Sequence, residues 1–296
     1  MEQQHPPVPP REFPPARTVV VPGRGEFFLR DTHPHDSSRP VVFMLHGWLG
    51  SADLNFAGLY DEVTAAGFRI VAIDHRGHGR GLRSIGPFRL VDCADDAAGV
   101  IRALGLGSVI LYGYSMGGAI AQLILARHPQ LLGGLLLSGT AQHWQEDELR
   151  RTWKAMPFVG FGLSVAPARG WRVALGRAGI RPGPRTAWLQ SEMMRHSARD
   201  IGEAGRELGR FDSRPWLTLA PCPAAVLITT ADDAVAPAKQ RELAGALRAR
   251  VFEAAVRHLD VGVVAAPQPT AIYNRALLEA LQWLRVTEPS GSLCGT

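Results

Sequence analysis

Three short stretches hold the side chains that acyl transfer requires. "LYGYSMGGAIAQLIL" (111–125) sets Ser115 between Gly113 and Gly117, after an apolar run and before a helical one. "ITTADDAVAP" (228–237) carries Asp232 and Asp233, and "AAVRHLD" (254–260) carries His258. A serine hydroxyl is a weak nucleophile until a base takes its proton, and the base needs an acid to orient it. The G-x-S-x-G spacing has a steric reason. The serine must stand on a sharp, strained turn, and glycines remove side chains that would collide there. A helix starting just after it aims backbone N–H groups at a developing oxyanion. In that chemistry Ser115 attacks an acyl carbonyl. His258 takes its proton and later returns one to the leaving group, and an aspartate holds the imidazole.

These residues need rigid elements to bring them together. "TVVV" (18–21) and "EFFLR" (26–30) read as an opening hairpin around Pro22–Gly25. "VVFML" (41–45), "RIVAID" (69–74), "SVILYGY" (108–114), "LGGLLLSGT" (132–140), "AAVLITT" (224–230) and "RVFEAAV" (250–256) read as strands. Helical patterns lie between them at 55–67, 89–105, 116–129 and 238–248, with a closing helix at 270–286. Such alternation implies an α/β fold with a mostly parallel sheet flanked by helices on both faces. Ligands of such sheets bind outside the carboxyl ends of the strands. Ser115, the aspartates and His258 each follow a strand at that end.

The motifs resemble those of the α/β-hydrolase fold superfamily, in particular its capped serine hydrolases of the esterase and lipase kind, over residues 18–286. "HGW" (46–48) resembles the family's H-G-x oxyanion loop, and "DHRGHGRG" (74–81) its D-x-R-G-x-G loop. "GYSMGG" resembles the nucleophile elbow, and the chain order Ser, Asp, His is the family's order. "DDAVAP" matches a D-x-V-x-P acid loop in the register that makes Asp233 the triad acid. Asp232 then falls to turn formation. In "RHLD" Arg257 stands where the family has glycine. The resemblance implies a catalytic triad of Ser115, Asp233 and His258. It also implies an oxyanion hole made by the backbone N–H groups of Trp48 and Met116, with His46 supporting that loop by hydrogen bonding. Asp74, Arg76 and His78 are expected to stabilise their own loop by local polar bonds. No cofactor and no metal is expected, because serine catalysis needs neither.

After residue 140 the strand–helix alternation stops until residue 216. The expected organisation is therefore a Pro-rich flexible arm (1–17), a hydrolase core (18–140 and 216–286), a helical cap inserted between its halves (141–215) and a disordered tail (287–296). Trp48, Trp153, Phe158, Phe161 and Trp188 are candidates for lining an apolar acyl or ring pocket, against the plainer reading that each is packing. "FVGFGLSVAPARG" (158–170) reads either as a mobile gate or as an ordinary connection between cap helices.

Composition bounds the function classes. The 296 residues carry a net charge of +5, and only Lys154 and Lys239 among 32 basic residues are lysine. No basic repeat interleaved with aromatics points to nucleic acid. The segment 141–215 holds 13 basic and 8 acidic residues, so the whole excess of +5 lies there. It reads as a solvated basic face, with attraction of anionic substrates or peripheral membrane contact as the alternatives. Three cysteines without metal spacing, and an N-terminus without an apolar core region, fit a cytoplasmic protein with incidental thiols. The expected activity is hydrolysis of a lipophilic carboxylic ester through an acyl-enzyme. A thioesterase, lactonase, acyltransferase or C–C bond hydrolase would use the same triad. A non-catalytic ligand-binding protein of the same fold is the alternative from another class. Epoxide and haloalkane hydrolases of similar architecture use an aspartate nucleophile, which Ser115 argues against.

Overall fold

The computed structural model describes residues 7–177, 179–180, 183–262 and 267–287. Residues 1–6 of the expected arm, nearly all of the expected tail and Cys294 lie outside them. Eight strands form one sheet: β1 (Ala16–Val21), β2 (Gly25–Asp31), β3 (Val41–Leu45), β4 (Arg69–Ile73), β5 (Val109–Tyr114), β6 (Leu132–Ser138), β7 (Ala224–Thr229) and β8 (Arg250–Ala254). Their order is β1-β2-β4-β3-β5-β6-β7-β8. β1 and β2 are antiparallel, β2 pairs antiparallel with β4, and the remaining ladders are parallel.

The helices are α1 (Ala52–Phe56), α2 (Tyr60–Ala65), α3 (Leu90–Ala103), α4 (Met116–Arg127), α5 (Asp147–Val165), α6 (Pro167–Arg177), α7 (Pro184–Met193), α8 (Ala198–Arg210), α9 (Pro237–Leu247) and α10 (Pro267–Thr287). Successive strand residues point to opposite faces, so an inner strand covered on both sides must be apolar throughout. Phe43, Leu45, Leu111 and Leu137 enter one core with α3, α4 and α9. Val42, Met44, Ile110, Tyr112 and Leu136 enter the other with α1, α2 and α10.

Parallel register brings the strand ends together. Leu45 lies beside Gly113, Tyr114 beside Ser138, and Ser138 beside Leu227. The segments that leave β3, β5, β6 and β7 therefore emerge at one edge.

Three elements differ from expectation. The pattern at 55–67 becomes two short helices, because the chain turns at Leu59, whose N–H donates to Phe56 O at 2.8 Å, next to helix-weakening Gly58. Residues 158–165 are the second half of α5. The break after it is at Ala166 (φ −141°), since Pro167 drives the preceding residue out of helical geometry. The described part of the arm is docked: Phe13 stacks on Trp188 with ring centroids 5.7 Å apart, and Arg30 donates to Pro14 O at 2.9 Å.

Candidate active site

Ser115 caps α4 with φ 54° and ψ −117°, a left-handed-side conformation that costs a residue with a side chain about 1–3 kcal/mol. Close backbone approach enforces the turn. A Cβ on Gly117 would lie 2.0 Å from Leu45 O, and one on Gly113 would lie 2.5 Å from Gly117 O. Neither position has room for alanine. Thr140 Oγ1 donates to Ser115 O at 2.8 Å and ties the turn to the exit of β6.

His258 Nε2 lies 3.2 Å from Ser115 Oγ, and its Nδ1 lies 2.9 Å from Asp232 Oδ2. A carboxylate held ionised can only accept, so Nδ1 carries the proton and Nε2 presents its lone pair to the serine. Tyr114 supports the ring from below. Its ring stacks on the imidazole at 5.1 Å, and its hydroxyl donates to His258 O at 2.6 Å. Arg257 has φ −81° and ψ 166°, ordinary extended backbone that needs no glycine, and its guanidinium pairs with Asp260 at 3.1 Å.

The acid differs from the expected one. Asp232, not Asp233, meets the histidine. Asp232 Oδ1 accepts the N–H groups of Ala234 (2.9 Å) and Val235 (2.8 Å), and Oδ2 accepts Thr229 Oγ1 at 2.6 Å. This Asx-type turn points the Asp232 carboxylate inward, where it is fully buried. Asp233, one residue on, faces solvent. Burial pushes the Asp232 carboxyl up, but the bonds from His258, Thr229 and Val235, with the charge His258 can carry, hold it below its ordinary value. Gln240 buttresses the turn, accepting from Thr229 N at 3.1 Å and donating to Val235 O at 2.8 Å.

Opposite the serine runs the 46–48 loop. A Cβ on Gly47 would come 3.1 Å from Ser115 Cβ, so this backbone sits against Ser115. Asn55 Oδ1 accepts Gly47 N–H at 2.9 Å. His46 Nε2 accepts His75 N–H at 3.0 Å, which makes Nδ1 the protonated nitrogen that donates to Gly47 O at 2.8 Å. Among the described residues, the N–H groups of Trp48 and Met116 meet no acceptor. The Trp48 indole donates to Ile201 O on α8 at 3.0 Å and edges onto Trp153 at 5.9 Å.

The 74–81 loop sits behind. Asp74 accepts Ala52 N (2.7 Å) and Arg80 N (2.8 Å). Arg76 forms a fork on Asp96 of α3 at 2.7 and 2.8 Å. His78 Nδ1 lies 3.1 Å from Arg76 O.

Of the aromatic candidates, only Trp48 lies on the loop that packs against Ser115. Trp153 donates to Trp144 O at 2.8 Å and reaches the site only through Trp48. Trp188 is buried in a packing cluster with Leu54, Leu175 and Leu189. Phe158 and Phe161 are 78% and 70% exposed and so line no buried pocket. Helical phase explains this: Met156, Gly160 and Leu163 turn toward the protein, which rotates 158, 161 and 165 outward. Asp232, Asn55, Tyr114, Thr229 and Gln240 are the site residues that motif reading missed. Asn55 and Gln240 follow no spacing that would have flagged them.

The sheet order, the flanking helices and the serine turn are those of the α/β-hydrolase fold. A family model described as the alpha/beta hydrolase fold matches residues 40–158. A bifunctional esterase/perhydrolase of Acinetobacter calcoaceticus is 37% identical over 105 residues, 35% of this chain and 37% of that protein. A non-heme haloperoxidase of Rhodococcus erythropolis is 38% identical over 104 residues, 35% of this chain and 36% of that protein. The chain thus spans little more than a third of the length of these curated relatives. The structure of an enol-lactonase from Burkholderia xenovorans superposes with a TM-score of 0.71, covering 90% of this chain and all of that one at 21% identity. The chain has the fold of the α/β hydrolases, and its segment 40–158 matches their family model.

Proposed function

We propose that the protein is a serine hydrolase that cleaves carboxylic esters through an acyl-enzyme on Ser115. The observation that carries this reading is the unbroken line Ser115 Oγ, His258 and Asp232, with contacts of 3.2 and 2.9 Å, on a serine held at positive φ. Ser115 Oγ attacks the carbonyl carbon while His258 Nε2 takes its proton. The anionic oxygen is received by the Met116 N–H at the start of α4 and by the Trp48 N–H. The imidazolium, steadied by ionised Asp232, then protonates the alcohol as it leaves. Water repeats the sequence on the acyl-enzyme, releasing the acid and restoring Ser115. The helices α5–α8 serve as the cap, since Trp48 bonds to α8 and Gly79 N–H bonds to His196 at 2.8 Å.

The test is labelling by a fluorophosphonate probe, with turnover of p-nitrophenyl esters of graded chain length on the same samples. Labelling and turnover are expected in the wild type and absent in Ser115→Ala and His258→Ala. A wild type that does not label overturns the proposal in favour of a ligand-binding protein. Labelling without ester turnover moves the substrate to a thioester, lactone or C–C bond. The name of the esterase/perhydrolase relative favours a second use of the same acyl-enzyme, capture by hydrogen peroxide to give a peracid, which peracid formation on adding hydrogen peroxide to the same assay would reveal.

Asn55→Ala tests the support of the oxyanion loop. It leaves the Gly47 N–H without its acceptor, a loss of roughly 1–1.5 kcal/mol. The expected result is a fall in kcat of about tenfold with KM little changed. An unchanged kcat would mean that the loop holds its shape without Asn55.

A further inference from the structure

We propose that the outer face of α5, with the cationic groove beside it, is a docking surface for an anionic phospholipid bilayer. Phe158, Phe161 and Val165 are 78%, 70% and 68% exposed and share one helical face. Large apolar groups clustered in solvent are costly and mark an interaction site. The helix is held firmly from its other side. Gly160 on α5 and Gly202 on α8 allow backbone contact, since a Cβ on Gly202 would lie 2.8 Å from Met156 O and 3.3 Å from Gly160 Cα. The phenylalanines are therefore presented on a packed support.

Charge complementarity selects the partner. Lys154 stands one turn before Phe158, and the groove between α5 and α8 carries Lys154, Arg206 and Arg210 at one end and Phe161, Arg199, Glu203 and Arg206 at the other. Arg199 is paired with Asp200 and Glu203, and Arg210 with Glu207, so the unpaired charge among the described residues of the groove comes from Lys154 and Arg206. Its main hollow, about 570 Å³, is lined by Trp153, Lys154, Arg206 and Arg210 with no carboxylate among its lining residues. Among the described residues, neither Lys154 nor Arg206 has a carboxylate partner. A helix with aromatic residues on one side and cations flanking them is suited to the headgroup layer, where rings enter the acyl boundary and cations meet phosphate. A second copy of this chain would bring the same cations face to face, so self-association fits the surface poorly. The proposal stands apart from the catalytic reading, because it is tested by binding alone.

The experiment is co-sedimentation of the full chain with phosphatidylcholine vesicles, with and without phosphatidylglycerol, at low and high salt. The wild type is expected to pellet with the anionic vesicles at low salt and to be released by high salt. Phe158→Asp with Phe161→Asp should weaken binding by about tenfold or more. Lys154→Glu with Arg206→Glu should weaken it by at least about fivefold per charge. Both variants should keep the wild-type far-UV circular dichroism and unfolding midpoint, since all four residues are surface residues. No binding at low salt overturns the proposal. So does binding that the double Phe→Asp variant retains in full, or a concentration-dependent dimer that this variant abolishes.

Discussion

Asp232→Asn lowers kcat by about ten-thousand-fold on any ester the wild type hydrolyses, while Asp233→Asn leaves it within about threefold. The argument is in the turn. The N–H groups of Ala234 and Val235 both donate to one carboxylate oxygen of Asp232. An asparagine there keeps its carbonyl oxygen on those donors and turns its amide toward His258. The amide donates, so His258 Nδ1 must accept, and the proton moves to Nε2. Ser115 then faces an N–H instead of a lone pair, and the base is lost although every atom stays in place. Asp233 faces solvent and meets neither ring nitrogen. Steady-state kinetics on the two variants, with circular dichroism to show that both fold, checks this. A collapse in Asp233→Asn with an active Asp232→Asn would return the acid to the residue that the D-x-V-x-P spacing favours.

The same pair of aspartates shows what a sequence carries and where it stops. Strands such as Val41–Leu45 and Val109–Tyr114 are legible because burial on both faces demands an unbroken apolar run, and the parallel sheet follows from their alternation with helices. Ser115 is legible because only small residues fit around it: Gly113 and Gly117 touch backbone. Asp232 and Asp233 are not distinguishable this way. They have the same chemistry, and what separates them is which carboxylate the next two N–H groups pull inward, a matter of backbone path. Phe158 and Phe161 mislead for the opposite reason. Apolar residues belong inside on average, yet α5 already has its inward face filled by Met156, Gly160 and Leu163. Phe13, in a Pro-rich stretch without period, gives no sign that it will stack on Trp188, a contact made across 175 positions of sequence by rings 5.7 Å apart.

Behind the 46–48 loop, four buried histidines carry the second large effect, an acid lability of the fold. His46 and His75 have ring centroids 4.3 Å apart, His46 and His78 5.4 Å, and His78 and His196 5.5 Å. Burial pushes His75 down to about 3 and His78 down to about 4, with His78 adding to the effect on His75. Burial holds His46 and His196 well below the ordinary value too. In the unfolded chain each imidazole takes a proton near pH 6.5, whereas the folded chain refuses it. The stability lent by neutral histidines is whole above pH 6.5 and is lost as pH falls from there toward the folded values. From pH 7 to pH 5 this removes about 2 kcal/mol for each of His75 and His78, and His46 and His196 act in the same direction. Asp74 opposes them: burial raises its carboxyl to about 6. Its folded form binds a proton first on acidification, which returns about 1 kcal/mol over the same interval. The histidines outnumber it, so urea unfolding should show a net loss of several kcal/mol between pH 7 and pH 5. His75→Phe isolates one term. Neither ring nitrogen of His75 has a hydrogen-bond partner, so a ring of similar size gives up no bond, while the main-chain N–H that serves His46 remains. The variant should lie within about 1 kcal/mol of wild type at pH 7. At pH 5 it should be about 2 kcal/mol more stable than wild type. Parallel pH dependences in the two proteins would mean that His75 is protonated, or solvated, within the fold.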